Sequence, residues 1–244
     1  VITTPMTAFA TILAIIRSGA KPVLADIDSE TALLSIESVR RSLTANTKAV
    51  ILVHLYGQVR QMDEWVNFCE ENKIMLIEDC AQAHQATWKG KVAGCFGQAG
   101  AYSFYPTKNL GAVGDAGMLV TNNSTLAEKA RQLRNYGQSE RYLHPVVGMN
   151  SRLDEIQAVM LSERMKWLPE FTKYRRQIAD SYHAKIDNPL VKHLIKPEQK
   201  SAHVYHLFVI TCPQRDALQS HLLKKGVQAL IHYPVPVQQQ KPCS

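Results

Sequence analysis

Two side chains in this sequence have types and settings that together could do chemistry on an amino group. Asp79 closes the apolar run Ile74-Met75-Leu76-Ile77 within Glu78-Asp79-Cys80-Ala81-Gln82, and Lys108 lies in Ser103-Phe104-Tyr105-Pro106-Thr107-Lys108-Asn109-Leu110-Gly111. An amine can bind an aldehyde covalently, and a carboxylate can hold a proton on a ring nitrogen, because an opposite charge at close range favours the charged form. On adjacent strand ends the pair would suit pyridoxal phosphate, with Lys108 on the aldehyde and Asp79 beside the pyridinium, which then drains electrons from the substrate carbon. This implies carbanion chemistry on amino groups.

Each residue alone reads more blandly, as a solvated carboxylate ending a strand and a solvated surface amine. The pairing reverses that. Lys108 is also the one charged residue between Cys95 and Val113, a setting that would lower its pKa toward a nucleophilic state. Ser103 could offer its hydroxyl to a phosphate, or be an ordinary satisfied strand serine.

The elements that must position these groups read as α/β. Strands at about Pro22–Asp26, Ala49–His54 and Ile74–Asp79 alternate with helical patterns such as Met62–Asn72, the signature of βαβ units, and ligands of such sheets bind at the carboxyl ends of the strands. The unbroken run before Glu78 suits a strand covered on both faces. Ala101–Phe104 and Met118–Thr121 bracket the lysine loop as further strands. Asp154–Ile186 predicts long helices interrupted near Pro169. Asn188-Pro189 marks a boundary. Residues 1–188 therefore form a large α/β domain with bridging helices, and 189–244 the start of a small α+β domain reading as strand (His206–Ile210), helix (Arg215–Gly226) and strand (Val227–His232).

At 244 residues and 45% apolar composition the chain is long enough for a sizeable core. Its five cysteines are odd in number and lack zinc-like clustering or a secreted disulfide pattern, which fits a reducing cytoplasmic setting. No apolar run approaches membrane-span length. The nine histidines show no metal-ligand spacing, so no metal is expected. The net charge of +7 is scattered over Arg131–Arg134, Arg164–Lys166 and Lys173–Arg176 as solvated helix faces rather than a nucleic-acid patch. It would favour approach of anionic small molecules.

Several motifs in order carry a family resemblance: Glu78 through His84, Trp88-Lys89-Gly90-Lys91, Ser103 through Gly111, Gly114-Asp115-Ala116-Gly117 and Gly148-Met149-Asn150-Ser151-Arg152-Leu153. From Val1 to about Pro236 the chain resembles the DegT/DnrJ/EryC1/StrS sugar aminotransferases. The resemblance implies a fold-type I, pyridoxal-phosphate-dependent homodimer that transfers an amino group from glutamate to a nucleotide-linked keto sugar. It implies Lys108 as the Schiff-base lysine, Asp79 as partner of the ring nitrogen, Gln82 as a cofactor-ring contact and Ser103 as a phosphate ligand. Asn150 would reach the phosphate in the neighbouring subunit. His84, His232 and Tyr233 are candidates for the sugar side, although a lone histidine is more often structural.

Related sugar dehydratases carry histidine at the lysine position, so Lys108 favours transamination. Phe104 through Ala112 and His54-Leu55-Tyr56-Gly57-Gln58 are similar to members acting at C3 of dTDP-linked 3-keto-6-deoxyhexoses. The alternatives are a 4-keto sugar or ketocyclitol aminotransferase and a noncatalytic regulatory protein on this fold. Two departures stand out: Ala8 followed by Phe9 where an aromatic usually follows the threonine, and Gln85 where glycine usually follows the histidine, adding a side chain next to the expected pocket. The resemblance also predicts an upstream segment bearing a Gly-Thr phosphate-binding turn and a longer C-terminal region, so the chain reads as an internal piece of a longer protein.

Overall fold

The computed structural model describes residues 1–243. A short strand β1 (Ile2–Thr3) leads into helix α1 (Phe9–Arg17), whose Thr11, Ile12 and Ile15 fall at helical spacing and are buried. Strand β2 (Val23–Leu24), helix α2 (Ile36–Ser42) and strand β3 (Ala49–Val53) follow. Ser35 caps α2 by accepting from the Ser38 amide. Helix α3 (Met62–Glu71) has Asp63 and Glu64 in its first turn, favourable at the positive end of the helix dipole, and buries Met62, Trp65, Phe68 and Cys69. Strand β4 (Met75–Asp79) precedes the hairpin of β5 (Thr87–Trp88) and β6 (Lys91–Val92). Strands β7 (Ala99–Ser103) and β8 (Gly117–Val120) flank the lysine loop. Helices α4 (Ser124–Leu133) and α5 (Glu155–Lys185), strands β9 (Lys192–His193) and β10 (Ile210–Thr211), and helix α6 (Arg215–Lys224) complete the order.

The main sheet runs β2-β1-β3-β4-β7-β8, parallel except for the β7–β8 pair. Parallel pairing requires crossovers, which α1, α2 and α3 provide. The register sets Asp79 beside Val53 on one side and Ala101 on the other. Ile2, Val50, Leu52, Leu76, Trp65 and Phe68 belong to the principal core beneath the sheet, and Ala202 and Val204 from the later part of the chain join it.

Four details depart from the sequence reading. α5 is continuous through Pro169. Proline removes one amide donor, and here the helix is held on both sides of it by buried Leu161, Leu168 and Thr172. Met75 is 49% exposed, so β4 is not covered on both faces at its start. The strand expected over His206–Ile210 is only Ile210–Thr211, paired antiparallel with β9. Residue 206 instead donates its amide to the Tyr56 carbonyl. The strand expected over Val227–His232 is absent, and Val227 and Leu230 there are exposed.

Candidate active site

Successive side chains of a strand point to opposite faces, and the last two residues of β4 use both. Glu78 turns into the protein and is fully buried. Its carboxylate accepts from His54 Nε2 at 2.9 Å and from the amides of Gly94, Phe96 and Gly97 at 2.7, 2.7 and 2.8 Å. Burial alone would raise its pKa, but these donors outweigh it and leave the group below its ordinary value. His54, Glu78 and Cys80 cluster closely enough to suggest a metal site. With the carboxylate already bound to four donors, the cluster reads as a structural knot that pins the turn before β7.

Asp79 takes the other face. Its Oδ2 accepts from Thr11 Oγ1 at 2.7 Å and its Oδ1 from the Ala81 amide at 3.1 Å. Thr11 is in turn bonded to Thr7 at 2.9 Å. These two hydroxyls, four residues apart at the start of α1, orient the carboxylate at the sheet's carboxyl edge.

Lys108 leaves β7 through a tight loop. Its amide donates to the Tyr105 carbonyl at 2.8 Å, and Ala112 returns to Phe104 at 2.7 Å. Gly111 is required for this closure, because a Cβ there would stand 2.4 Å from the Pro106 carbonyl oxygen. Burial lowers the amine's pKa, and the charge of Asp79 opposes that shift. The loop thus brings an amine and a carboxylate into electrostatic reach at the ends of neighbouring strands.

Gln82 is buried beside them, accepting from the Tyr56 amide at 2.5 Å and donating to Tyr233 Oη at 3.3 Å. Tyr56 Oη donates to the His232 carbonyl at 2.8 Å. Residues 232–233 are thereby drawn to the β3 and β4 ends. Ser103 is half-buried at the end of β7 and its Oγ accepts from the Tyr105 amide at 3.3 Å. His84 is buried against Tyr102 and Phe104, with neither ring nitrogen partnered among the described residues. Burial pushes its pKa down to about 4, while the Ser103 carbonyl opposes that shift from outside hydrogen-bond geometry. Asn150 stands apart, exposed in a backbone bridge with Asn135.

Ala8 and Phe9 are half-buried at the start of α1. Gln85 is exposed with φ of +64°, a left-handed conformation natural to glycine, so its side chain is directed to solvent rather than added to a pocket. A cavity of about 540 Å³ on another part of the surface is lined by residues such as Asp28, Arg40, Arg60 and Phe68, without Asp79 or Lys108. The chemistry is therefore assigned to the paired groups at the strand ends. Sequence reasoning missed Thr11, Tyr56, Asn109 and His206 as neighbours of that pair. For Thr11 the sequence signal was its spacing from Thr7, which brings two hydroxyls together across the start of α1.

The sequence model of the DegT/DnrJ/EryC1/StrS aminotransferase family matches residues 1–244. A pleiotropic regulatory protein of Geobacillus stearothermophilus is 43% identical over 242 residues, 98% of this chain and 65% of its own length. The dTDP-3-amino-3,6-dideoxy-alpha-D-galactopyranose transaminase of Aneurinibacillus thermoaerophilus is 43% identical over 235 residues, 96% of this chain and 64% of its own. The crystal structure of S. venezuelae DesV in complex with a ketimine intermediate superposes with a TM-score of 0.95 at 36% identity, covering 99% of this chain and 66% of that one. The chain thus spans slightly less than two thirds of the curated relatives it matches. Its fold is the α/β fold of solved aminotransferases.

Proposed function

The chain belongs to the DegT/DnrJ/EryC1/StrS aminotransferase family, and from that premise we propose that it forms most of a pyridoxal-phosphate-dependent aminotransferase. The amino group moves from glutamate to a nucleotide-linked keto sugar, at C3 of a dTDP-3-keto-6-deoxyhexose. The observation that carries this is the pairing of Lys108, its pKa lowered by burial, with an Asp79 carboxylate oriented by Thr11 at the end of the adjacent strand. The residues present fit the cofactor in kind: an amine for its aldehyde, a carboxylate for its ring nitrogen, a hydroxyl at Ser103 for its phosphate. When bound, pyridoxal phosphate supplies an electrophilic carbon and an electron-withdrawing ring.

In this reading Asp79 holds the proton on the ring nitrogen, and Thr11 keeps its Oδ2 in place. Lys108 Nζ would hold the cofactor covalently, and as a free amine it would carry the proton taken from the donor's α-carbon. A lowered pKa suits that task, since more of the amine is neutral at physiological pH. Gln82 is clamped between the Tyr56 amide and Tyr233 Oη and would contact the cofactor ring. Ser103 binds phosphate, with Asn150 supplied by a second subunit. His84, His232 and Tyr233 lie on the sugar side. Residues 1–188 form the large domain of this enzyme and 189–244 the start of the small one.

The homodimer is supported by the apolar surface of α5, where Ile156, Val159, Trp167 and Ile178 are each more than half exposed. No described helix is long and apolar enough to cross a membrane. The cytoplasm is the setting we propose, on the five free cysteines. Relatives include transaminases of dTDP-3-amino sugars and a GDP-perosamine synthase, and a 4-keto sugar or ketocyclitol acceptor is the second enzymatic reading. The regulatory relative suggests a noncatalytic role, which the Lys108–Asp79 pairing argues against. The test is an amino-transfer assay of the full-length protein with glutamate and a panel of 3-keto and 4-keto sugar nucleotides, reading 2-oxoglutarate and amino sugar. Turnover of the 3-keto dTDP sugar is expected; turnover of 4-keto substrates alone, or of none, overturns the assignment.

A further inference from the structure

The segment Ala202 to His206 crosses the end of β3 and reaches the lysine loop. Its backbone is fixed at several points: the Val204 amide donates to the Gly57 carbonyl and the His206 amide to the Tyr56 carbonyl, both at 2.9 Å. Arg175 donates to the carbonyls of Tyr205 and His206 at 3.1 and 3.2 Å. Gly57 permits the close approach, since a Cβ there would meet Val204 Cγ2 at 2.7 Å.

Asn109, next to Lys108 and buried, donates from Nδ2 to the Val204 carbonyl at 3.1 Å. A carbonyl can only accept, so this bond fixes which way the amide points and leaves Oδ1 facing His206 Nδ1 at 3.1 Å. Oδ1 also only accepts. His206 Nδ1 must therefore carry the proton.

We propose that Asn109 and His206 form a tether that positions Lys108, with His206 locked as the Nδ1–H tautomer so that its Nε2 lone pair is left as an acceptor for the lysine amine. The inference rests on the reading of Lys108 given above and adds a positioning residue to it. Nε2 takes no partner among the described residues. The ring stays neutral at ordinary pH: burial first, then the charges of Lys108 and Arg175, push its pKa to about 3. A neutral ring with Nδ1 committed has one thing to offer a neighbouring amine, a fixed acceptor. Lys108 Nζ, when free, would be held there instead of swinging into solvent.

The tautomer is tested first, by nitrogen-15 NMR of full-length, cofactor-free protein labelled in histidine and assigned with His206→Asn. A protonated Nδ1 and bare Nε2 from pH 7 down to about pH 4 are expected; Nε2–H or an imidazolium at pH 7 overturns the proposal. The positioning is tested by the rate at which added pyridoxal phosphate is trapped on Lys108 by borohydride. His206→Leu should slow trapping by about tenfold or more, since small misplacements of a reacting group carry costs of that size. His206→Asn retains a donor for Asn109 and should trap faster than His206→Leu. Its pH midpoint should still fall below the wild-type value, because the charged amine has lost its acceptor. Unchanged rate in the leucine variant removes the tether, and an unchanged midpoint in the asparagine variant removes the acceptor role. If no lysine is trapped in the wild type, the cofactor reading fails while the NMR result still decides the tether.

Discussion

Thr11 Oγ1 donates to Asp79 Oδ2 at 2.7 Å, tying the first turn of α1 to the last residue of β4 across 68 positions of sequence. A hydrogen bond to a charged group contributes about 1.5–3 kcal/mol. Thr11→Val keeps the shape of the side chain and removes the donor. Urea denaturation of the full-length protein should show a loss of about 1–2 kcal/mol. Aminotransfer should fall more than substrate affinity, because the carboxylate keeps its neighbourhood and loses its fixed orientation. A folded Thr11→Val enzyme with wild-type kcat would show that the Ala81 amide suffices to hold Asp79.

The covalent anchor is tested at position 108. Lys108→Ala removes the one charged side chain of its loop without touching the Gly111 turn, so the fold should persist by circular dichroism. Borohydride reduction in the presence of pyridoxal phosphate should label Lys108 in the wild type and leave the variant unlabelled, with transaminase activity lost by orders of magnitude. Peptide mapping that finds another lysine labelled in the wild type removes Lys108 from this role.

How far the sequence could be read differs by element. The alternation of apolar strands and amphipathic helices was enough for the parallel sheet, because burial on a sheet writes itself into residue type at fixed period. Asp79 and Lys108 were legible as a pair because each ends or follows a strand. What supports them was not legible. Asn109 and His206 are separated by 97 positions, and a hydrogen bond between polar residues of distant segments leaves no periodic trace. Pro169 misled in the other direction, since local propensity signals a break but tertiary burial of Leu168 and Thr172 overrides it. Val227–His232 carries strand-forming residues, yet a strand exists only where a partner edge is available.

Gln85 occupies φ of +64°, where the Cβ of an ordinary residue crowds its own backbone. Relief of that strain is worth about 1–2 kcal/mol, less about 0.5–1 kcal/mol for the greater freedom of glycine in the unfolded chain. Gln85→Gly should therefore raise stability slightly, by about 0.5–1 kcal/mol. The side chain is exposed, so no contact is sacrificed. A lowered denaturation midpoint would mean that the glutamine side chain makes an interaction in the whole protein that offsets the strain.

If Asn150 serves the phosphate of a neighbouring subunit, two inactive proteins can complement each other. Full-length subunits carrying Lys108→Ala, mixed with subunits carrying a severe Asn150 substitution, would form some dimers with one site intact in both residues. Partial recovery of activity is expected after exchange. No recovery, with subunit exchange demonstrated, would confine Asn150 to the local bridge it makes with Asn135.

Acid stability follows from three histidines whose pKa burial lowers, His84 and His203 being buried and His206 half-buried. Burial lowers the pKa of His84 to about 4 and those of His203 and His206 to about 3. The ordinary value is about 6.5. As pH falls below that value the unfolded chain takes up protons that the folded chain refuses, so the stability these groups confer as neutral residues is progressively lost. The loss runs from about pH 6.5 to 4 for His84 and on to about 3 for the other two, after which both states are protonated and the dependence ends. Above pH 6.5 they contribute no slope. Glu78, held below its ordinary pKa by His54 and the backbone amides, adds to the decline at the acid end as it is protonated. Unfolding free energy measured by urea at steps from pH 8 to 4 should be flat and then drop, with one proton fewer in the slope for His84→Gln than for the wild type. An unchanged slope in a folded His84→Gln protein would mean that His84 is protonated in the native state near its ordinary pKa, and that one of its two bare nitrogens finds an acceptor in solution.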